Sequence, residues 1–247
     1  MRLVHVAAKS VALAWEHSLL LAWATGDIVE TEYGQRAKEV AAVIEVQDPF
    51  SEPRYHLKGI VGSVEEYVAE VVDGVNDHLV ARFGYTYHDR LTRFHGLDQL
   101  KAVAGKLLNA PYTRRGVCVT WHPATDLFSE HPPCLIYLWF HSPDGERLVL
   151  HAHMRSNDAL KAALMNMLAF TELQRRIAES VYMKVGEYIH IVDSFHIYEN
   201  DWKYVAAMYT AREEEREKWR LSTEQYRRFF SRKRGGRKDA SITTSLR

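Results

Sequence analysis

Cysteine is scarce in this chain of 247 residues, which contains only Cys118 and Cys134. Two cysteines cannot build the disulfide framework of a small secreted protein, so a reducing, cytoplasmic location is expected. Net charge is lacking as well, because 32 basic residues balance 32 acidic ones. No overall field therefore draws the chain to nucleic acid or to an anionic surface. Any anion site must be built locally from particular arginines and lysines.

Long apolar runs are also missing. No stretch approaches the ~20 consecutive apolar residues that a membrane-spanning helix needs. The N-terminal segment MRLVHVAAKSVALAWEHSLLLAWATG is interrupted by Glu16 and His17, so it lacks the apolar core of a signal peptide. Cys, His and carboxylate residues show no metal-site spacing either. Neither a membrane, a nucleic acid nor a metal is therefore expected as a partner.

What is present is a mixture of helical and strand patterns, which predicts an α+β fold. The apolar periodicity predicts helices at 7–24, 64–80, 97–108, 159–180 and from about 202. Alternating or β-branched runs predict strands at 38–46, 116–121, 134–141, 147–154 and 188–195, the middle three as neighbours. Residues 1–230 are expected to form one domain. The basic stretch 231–247 is expected to be a flexible tail.

The sequence HPPC places Cys134 directly after two prolines. Prolines stiffen the approach and leave the thiol at the mouth of a loop, at the start of a strand. On chemistry alone, the plainer interpretation is a buried and inert cysteine. The alternative is a nucleophile, which needs nearby cations that lower the pKa of the thiol.

Two arginine-bearing segments could supply those cations. Arg114 and Arg115 are adjacent, and RSND at 155–158 is expected to open a helix with Asp158 as its N-cap. A helix N-terminus beside an arginine and a hydroxyl suits a phosphate. The plainer interpretation is that Asp158 only caps the helix while Arg155 is a solvated charge. Together, the three arginines are expected to bind a phosphorylated substrate and to lower the pKa of Cys134.

The order of these motifs resembles the thymidylate synthase family, and its archaeal branch in particular. The resemblance rests on YTRRGVCVTWHP, HPPC, HMRSNDALKAALMNMLAFTE and VGEYIHIVDSFHIY, which follow one another between Tyr112 and Tyr198. It implies a thymidylate synthase-like fold, a mixed β-sheet packed with helices, with the sheet at the interface of a homodimer. It also implies methylation of dUMP to dTMP. The co-substrate would be 5,10-methylenetetrahydrofolate or a methanopterin analogue.

The resemblance also assigns a role to each matching residue. Cys134 is implied as the nucleophile that attacks C6 of the pyrimidine. Asn166 is implied to read the edge of uracil, since an amide offers both a donor and an acceptor. The pair Arg114 and Arg115 is implied to reach the phosphate of the partner subunit's substrate. The other implied residues are the phosphate ligands Arg155 and Ser156, the deoxyribose ligands His196 and Tyr198, the folate-organising Asp158, and Tyr87 in proton removal from C5.

Two further positions are expected upstream. A glutamate should organise proton transfers at the pyrimidine, and of Glu65, Glu66 and Glu70 the preferred candidate is Glu66. A phosphate arginine is expected near the N-terminus, for which Arg36 is the candidate. A solvated arginine is the alternative interpretation of that residue.

Several positions depart from the family pattern. Leu135 stands where a histidine usually follows the cysteine, and Met154 where a glutamine usually precedes the RS pair. Ala162 and Met165 replace the glycine and phenylalanine that usually line the folate site, and the sequence ends in TTSLR, not in a short apolar tail. These departures cluster on the donor side. They motivate the hypothesis that the donor is a modified folate.

Two other functions stay open at this point. The nearest alternative is a hydroxymethylase acting on dUMP, dCMP or CMP. Cytosine-directed relatives tend to carry Asp at the base-reading position, so Asn166 favours uracil, and the His196–Tyr198 pair favours deoxyribose. The second alternative is a weakly catalytic nucleotide- or RNA-binding protein, supported only by the basic segment 227–238. Retention of Cys134 with the arginines argues against it.

Overall fold

The computed structural model describes residues 1–234. Of the segment predicted as a tail, 231–234 belong to the last helix, and the remainder lies outside the described residues. In the described part, no helix combines the length and apolar character needed to cross a membrane.

A mixed sheet of seven strands dominates residues 1–234, in the order β1-β3-β8-β7-β6-β5 with β2 added beside β3. The pairs β1–β3 and β7–β8 are parallel, and the other neighbours are antiparallel. The short strands β4 and β9 pair separately. The strand bounds are β1 Leu3–Ala8, β2 Asp27–Glu30, β3 Arg36–Val46, β4 Tyr55–His56, β5 Gly116–Val119, β6 Leu135–His141, β7 Arg147–Asp158, β8 Lys184–Tyr198 and β9 Arg220–Leu221.

Helices pack against this sheet and fill the connections. The α-helices are α1 Val11–Thr25, α2 Val64–Asp73, α3 Val80–Phe83, α4 Tyr87–Thr92, α5 Gln99–Asn109, α6 Pro123–Asp126, α7 Ala163–Ser180, α8 Trp202–Thr210, α9 Glu213–Glu217 and α10 Thr223–Arg234. Short 3-10 turns occupy Asp77–Leu79, Phe94–Gly96 and Glu199–Asp201. The predicted α+β class with a mixed sheet is confirmed, and so is the adjacency of the three central strands.

Two predicted helices have different bounds. Residues 3–8 form an edge strand in which buried and exposed side chains alternate, so the first helix begins at Val11 and not at residue 7. The helix predicted over 64–80 ends at Asp73 because Gly74 adopts a left-handed conformation with φ of 67°. A Cβ at position 74 would collide with the imidazole of His88, so glycine is required there.

The prediction that RSND opens a helix is wrong. Residues 155–158 are the end of β7, where Ser156 pairs with Ser194 and Asp158 with His196 of β8. Asp158 Oδ1 accepts hydrogen bonds from the backbone N–H groups of Leu160 and Lys161, which closes a turn after the strand. The helix itself begins at Ala163. The phosphate argument from a helix N-terminus therefore does not apply to Arg155 and Ser156, which a strand end delivers instead.

Helix α7 packs against the sheet, and its residues from Ala163 to Thr171 are all buried. Phe170, for example, is a large side chain with no exposure. Burying one such residue contributes roughly 1.5–3 kcal/mol to the stability of the fold. Gln174 fixes the helix further, because its Nε2 donates to the carbonyls of Leu148 in β7 and Gly186 in β8. This docking holds the first turn of α7, which carries Asn166, beside the ends of β7 and β8.

Candidate active site

A cavity of about 570 Å³ lies where β7 and β8 end and α7 begins. Its size falls within the roughly 300–1,000 Å³ typical of small-molecule sites. It gathers most of the residues singled out from the sequence. Those that line it are Tyr87, Cys134, Arg155, Ser156, Asp158, Asn166, His196 and Tyr198.

Cys134 directly precedes β6 and is partly buried at the cavity wall. The guanidinium of Arg155 lies beside it, with Nη2 3.9 Å from Sγ. Two carbonyls from the HPPC segment hold that guanidinium in place: Nε donates to Pro133 at 3.0 Å, and Nη2 donates to Pro132 at 2.9 Å. The two prolines therefore position a cation next to the thiol, in addition to stiffening the approach to it.

Burial raises the pKa of the Cys134 thiol, while Arg155 lowers it, and the result lies above the ordinary value of 9.0. The expectation that three arginines lower the pKa of this thiol is thus wrong for the free protein. The physical reason is that, among the described residues of the single chain, Arg155 alone places a guanidinium close to the sulfur, and it does not offset the loss of solvation. At neutral pH the free protein holds Cys134 as a neutral thiol.

Replacing Arg155 by glutamine is expected to slow alkylation of Cys134 by iodoacetamide at pH 8. The thiolate is the reacting form, and loss of the neighbouring cation raises the thiol pKa further; each unit of pKa costs about tenfold in thiolate. Mass spectrometry of the labelled peptide gives the rate. Arg155→Lys is the matched control, because it keeps the charge. An unchanged rate in Arg155→Gln would show that Arg155 does not act on the thiol.

Three tyrosines surround this end of the cavity. Tyr67 and Tyr87 line it, and the ring of Tyr85 lies 5.9 Å from that of Tyr87. Burial raises the pKa of all three, that of Tyr85 to about 12, so each hydroxyl stays protonated at neutral pH. Tyr87 also makes a backbone hydrogen bond with Leu135, the residue after Cys134. Of the three, Tyr67 and Tyr87 therefore present neutral phenols to the cavity.

The cavity wall also carries a carboxyl group and an imidazole, those of Asp158 and His196. Asp158 Oδ1 accepts the two backbone N–H groups after the strand, and within residues 1–234 no hydrogen bond engages Oδ2, which leaves that oxygen for a ligand. The pKa of Asp158 is raised above its ordinary value, mainly because the carboxyl group is buried. His196 is 8% exposed, and its Nδ1 lies 3.1 Å from the Ser194 carbonyl. When Nδ1 donates to that carbonyl, Nε2 is left as an acceptor. The ring of Tyr198 stands 4.7 Å away, centroid to centroid.

Four residues singled out from the sequence lie outside the cavity. Arg36 is exposed, and its Nη2 pairs with Glu199 Oε1 at 2.5 Å. Glu66 is exposed on α2, where its backbone N–H donates to the capping Ser63. Arg114 and Arg115 are exposed before β5, with no ion pair among residues 1–234.

Other cavity residues were missed from the sequence. Tyr67 is the one with a clear signal, since it lies one turn after the buried Val64 on the packed face of α2. Strand β2, the loop after it and strand β3 bring acidic and aromatic residues to the wall, where an arginine was expected. These residues carry no motif and are Glu30, Glu32, Tyr33 and Glu39.

Comparison with known proteins decides the family. The family profile described as thymidylate synthase matches residues 17–236. The chain belongs to the thymidylate synthase family. A relative from Methanopyrus kandleri is 33% identical over 196 residues, which cover 79% of this chain and 93% of the relative. One from Methanosarcina barkeri is 32% identical over 203 residues, covering 81% and 92%. Both are named "Putative thymidylate synthase".

The resemblance read from the sequence motifs is thereby confirmed. Thymidylate synthases are methyltransferases that bind dUMP and a folate-type co-substrate, typically as dimers. Within residues 1–234, no group of three or more His, Cys, Asp or Glu side chains is arranged to hold a metal ion.

Proposed function

We propose that the protein is a thymidylate synthase that methylates dUMP at C5 to give dTMP. The observation that carries the proposal is the meeting of Cys134, Arg155 and Asn166 in one cavity. They provide a nucleophile, a cation and an amide suited to a uracil edge. A binding protein without catalysis has no need for a thiol held 3.9 Å from a guanidinium at a cavity wall.

The chemistry begins at Cys134. Its sulfur adds to C6 of the base, and the electron pair of the C5–C6 bond moves toward C5 and O4. Addition requires the thiol to lose its proton, and Arg155 stabilises the developing thiolate. An N–H of Asn166 then faces the charge that develops on O4. Tyr87, beside Cys134, is proposed to assist removal of the C5 proton after the one-carbon unit has been attached.

The remaining polar residues hold the nucleotide. Arg155 and Ser156, at the end of β7, are proposed to bind the phosphate. His196 and Tyr198, at the end of β8, are proposed to bind the 3′-hydroxyl through Nε2 and the phenol. Strand ends give these groups fixed positions, which orients C6 toward the sulfur.

The donor binds beside the base in this proposal. The reduced folate supplies the methylene unit and, in a synthase, the hydride. Asp158 and Ala162 share the wall with Asn166, and Asp158 Oδ2 is available for a pterin nitrogen. A methyl group at position 162, where the family pattern implies glycine, narrows the space for the pterin ring. We therefore propose a modified folate such as a methanopterin as donor.

A homodimer completes the site in the same proposal. Arg114 and Arg115 are exposed on the approach to the edge strand β5, where they are free to reach a phosphate in a second copy. Strand β5 itself carries Val117 and Val119, whose side chains are 42% and 39% exposed and could pack against a neighbouring chain. The sheet face that bears them is the proposed interface.

Product mass tests the proposed function. Incubation of dUMP with each candidate donor is expected to give a nucleotide heavier by one CH2 unit, as methylation requires. A gain of CH2O would instead identify a hydroxymethylase, and conversion of dCMP alone would identify a cytosine-directed enzyme. No covalent change with any donor would leave a nucleotide-binding protein. Turnover with methylenetetrahydrofolate at a rate ordinary for the family would overturn the modified donor.

A further inference from the structure

Tyr67 touches the residue that is proposed to read the base. Its hydroxyl donates a hydrogen bond to Oδ1 of Asn166, which is 99 positions away in the chain. Tyr67 belongs to α2 and Asn166 to the first turn of α7, and both line the cavity. Asn166 is only 4% exposed, so its amide has few alternative hydrogen-bond partners in the solvent. The contact therefore bears directly on how the amide is oriented.

The polarity of this hydrogen bond is fixed by the phenol. Burial raises the pKa of Tyr67 well above its usual range, so the hydroxyl keeps its proton. Within residues 1–234, Asn166 is the only hydrogen-bond partner of that hydroxyl. If the amide flipped, Nδ2 would face the hydroxyl. With a nucleotide filling the cavity, the phenol proton would then lack an acceptor, which is costly.

Helix α2 is docked so that this contact is maintained. Ser63 caps its first turn by accepting the N–H of Glu66, and Gly74 ends it. At its far end, Asp73 pairs with Arg176 of α7 at 2.8 Å. The buried residues Val64 and Val71 flank Tyr67 along the helix. The phenol is therefore carried by a short, anchored helix, and its hydroxyl approaches Asn166 from a fixed side.

A fixed amide distinguishes the two pyrimidine edges. Uracil presents the acceptor O4 next to the donor N3–H, whereas cytosine presents a 4-amino donor next to the acceptor N3. With Tyr67 on one lone pair of Oδ1, the other lone pair accepts N3–H and Nδ2 donates to O4. The flipped amide would suit cytosine instead. Resting on the proposed function, we propose that Tyr67 is a specificity-determining residue that selects 4-keto over 4-amino pyrimidine nucleotides by holding the Asn166 amide.

Binding of dUMP and dCMP to the full-length protein tests this role by calorimetry. The wild type is expected to prefer dUMP, and Tyr67→Phe is expected to reduce the ratio of the two dissociation constants about tenfold, the value of one lost neutral hydrogen bond. Tyr85→Phe is the matched control. It removes a phenol hydroxyl of raised pKa from the same tyrosine group, and it should leave the ratio unchanged.

A double-mutant cycle sharpens the test. An aspartate at 166 has two equivalent oxygens and cannot be flipped. Adding Tyr67→Phe to Asn166→Asp is therefore expected to leave the nucleotide ratio unchanged, although the same change alters it beside asparagine. A merely structural role for Tyr67 would lower both affinities alike in both backgrounds.

The outcomes separate this inference from the function on which it rests. An unchanged dUMP to dCMP ratio in folded Tyr67→Phe, checked by circular dichroism, overturns the role of Tyr67 and leaves the synthase proposal standing. A wild type that binds neither nucleotide, or that prefers dCMP, overturns the proposed function before any variant is made. A reduced ratio in Tyr67→Phe with an unchanged ratio in Tyr85→Phe supports the proposal.

Discussion

Cys134→Ser is expected to abolish the release of tritium from C5 of dUMP, lowering the rate by at least about 1,000-fold. A hydroxyl is a far weaker nucleophile than a thiol, and its pKa is too high for Arg155, 3.9 Å from the sulfur, to ionise it. Tritium exchange requires only the addition at C6 and loss of the C5 proton once the donor is bound. The assay therefore isolates the step assigned to this residue.

The second cysteine provides the control. Cys118 is fully buried in β5, and burial raises its pKa to about 12, so it is chemically inert. Cys118→Ala should release tritium at the wild-type rate. Cys134→Ser should still bind dUMP with an affinity within a few-fold of the wild type, because the phosphate and base ligands remain. Tritium release that survives the loss of Cys134 would refute nucleophilic catalysis by this residue.

Glu16→Gln is expected to lower the free energy of unfolding by about 3 kcal/mol. Glu16 has no solvent exposure, and its carboxylate accepts hydrogen bonds from Arg220 Nε at 2.7 Å and Arg220 Nη2 at 2.8 Å. His56 Nε2 lies 3.2 Å from Oε2. A neutral amide would leave the largely buried guanidinium of Arg220 without its buried charge partner, and only the half-exposed Glu213 would remain as a carboxylate partner. Urea unfolding at neutral pH measures the loss.

The same substitution should change how stability depends on pH. Burial acts to raise the pKa of Glu16, but hydrogen bonds from Arg220 and His56 outweigh it and lower the pKa to about 2. Because the folded pKa lies below the ordinary value of 4.5, the stabilisation is fully present above that pH and is lost as the pH falls toward 2. Between these limits the wild type should lose about 3 kcal/mol more than Glu16→Gln.

Glu213 offers a matched control for both measurements. It also pairs with Arg220, at 2.6 Å, but its side chain is 50% exposed. Solvent screens such a pair, so Glu213→Gln should cost less than about 1 kcal/mol. Parallel stability curves for the wild type and Glu16→Gln below pH 4.5 would contradict the assigned role of Glu16.

The order of the motifs in the sequence predicted most of the residues that line the candidate site. The reason is that these motifs lie at or beside the ends of neighbouring strands. Cys134 directly precedes β6, Arg155 lies near the end of β7 and His196 near the end of β8, and these strands are adjacent. The helix predicted at RSND failed for a local reason. An aspartate followed by two free N–H groups is typical both of a helix N-cap and of a turn, and only the ladder with β8 decides between them.

Contacts between distant segments could not be predicted in this way. Arg36 looked available for a phosphate, yet Glu199, 163 positions away, binds it. The bond between Tyr67 and Asn166 depends on how α2 approaches α7, for which the sequence carries no motif. In the proposed function Arg114 and Arg115 bind a phosphate in a second copy of the chain, a role that no contact within one chain could indicate.

The hydrogen bonds that Arg155 donates to the carbonyls of Pro132 and Pro133 have a consequence for substrate choice. A single guanidinium is connected to the backbone that carries the nucleophile and, in the proposed function, to the phosphate. A nucleoside has no phosphate, so it would leave this cation without its anionic ligand. The sulfur of Cys134 would then be less firmly positioned against C6. Discrimination against nucleosides should therefore appear in the turnover of bound substrate as well as in its affinity.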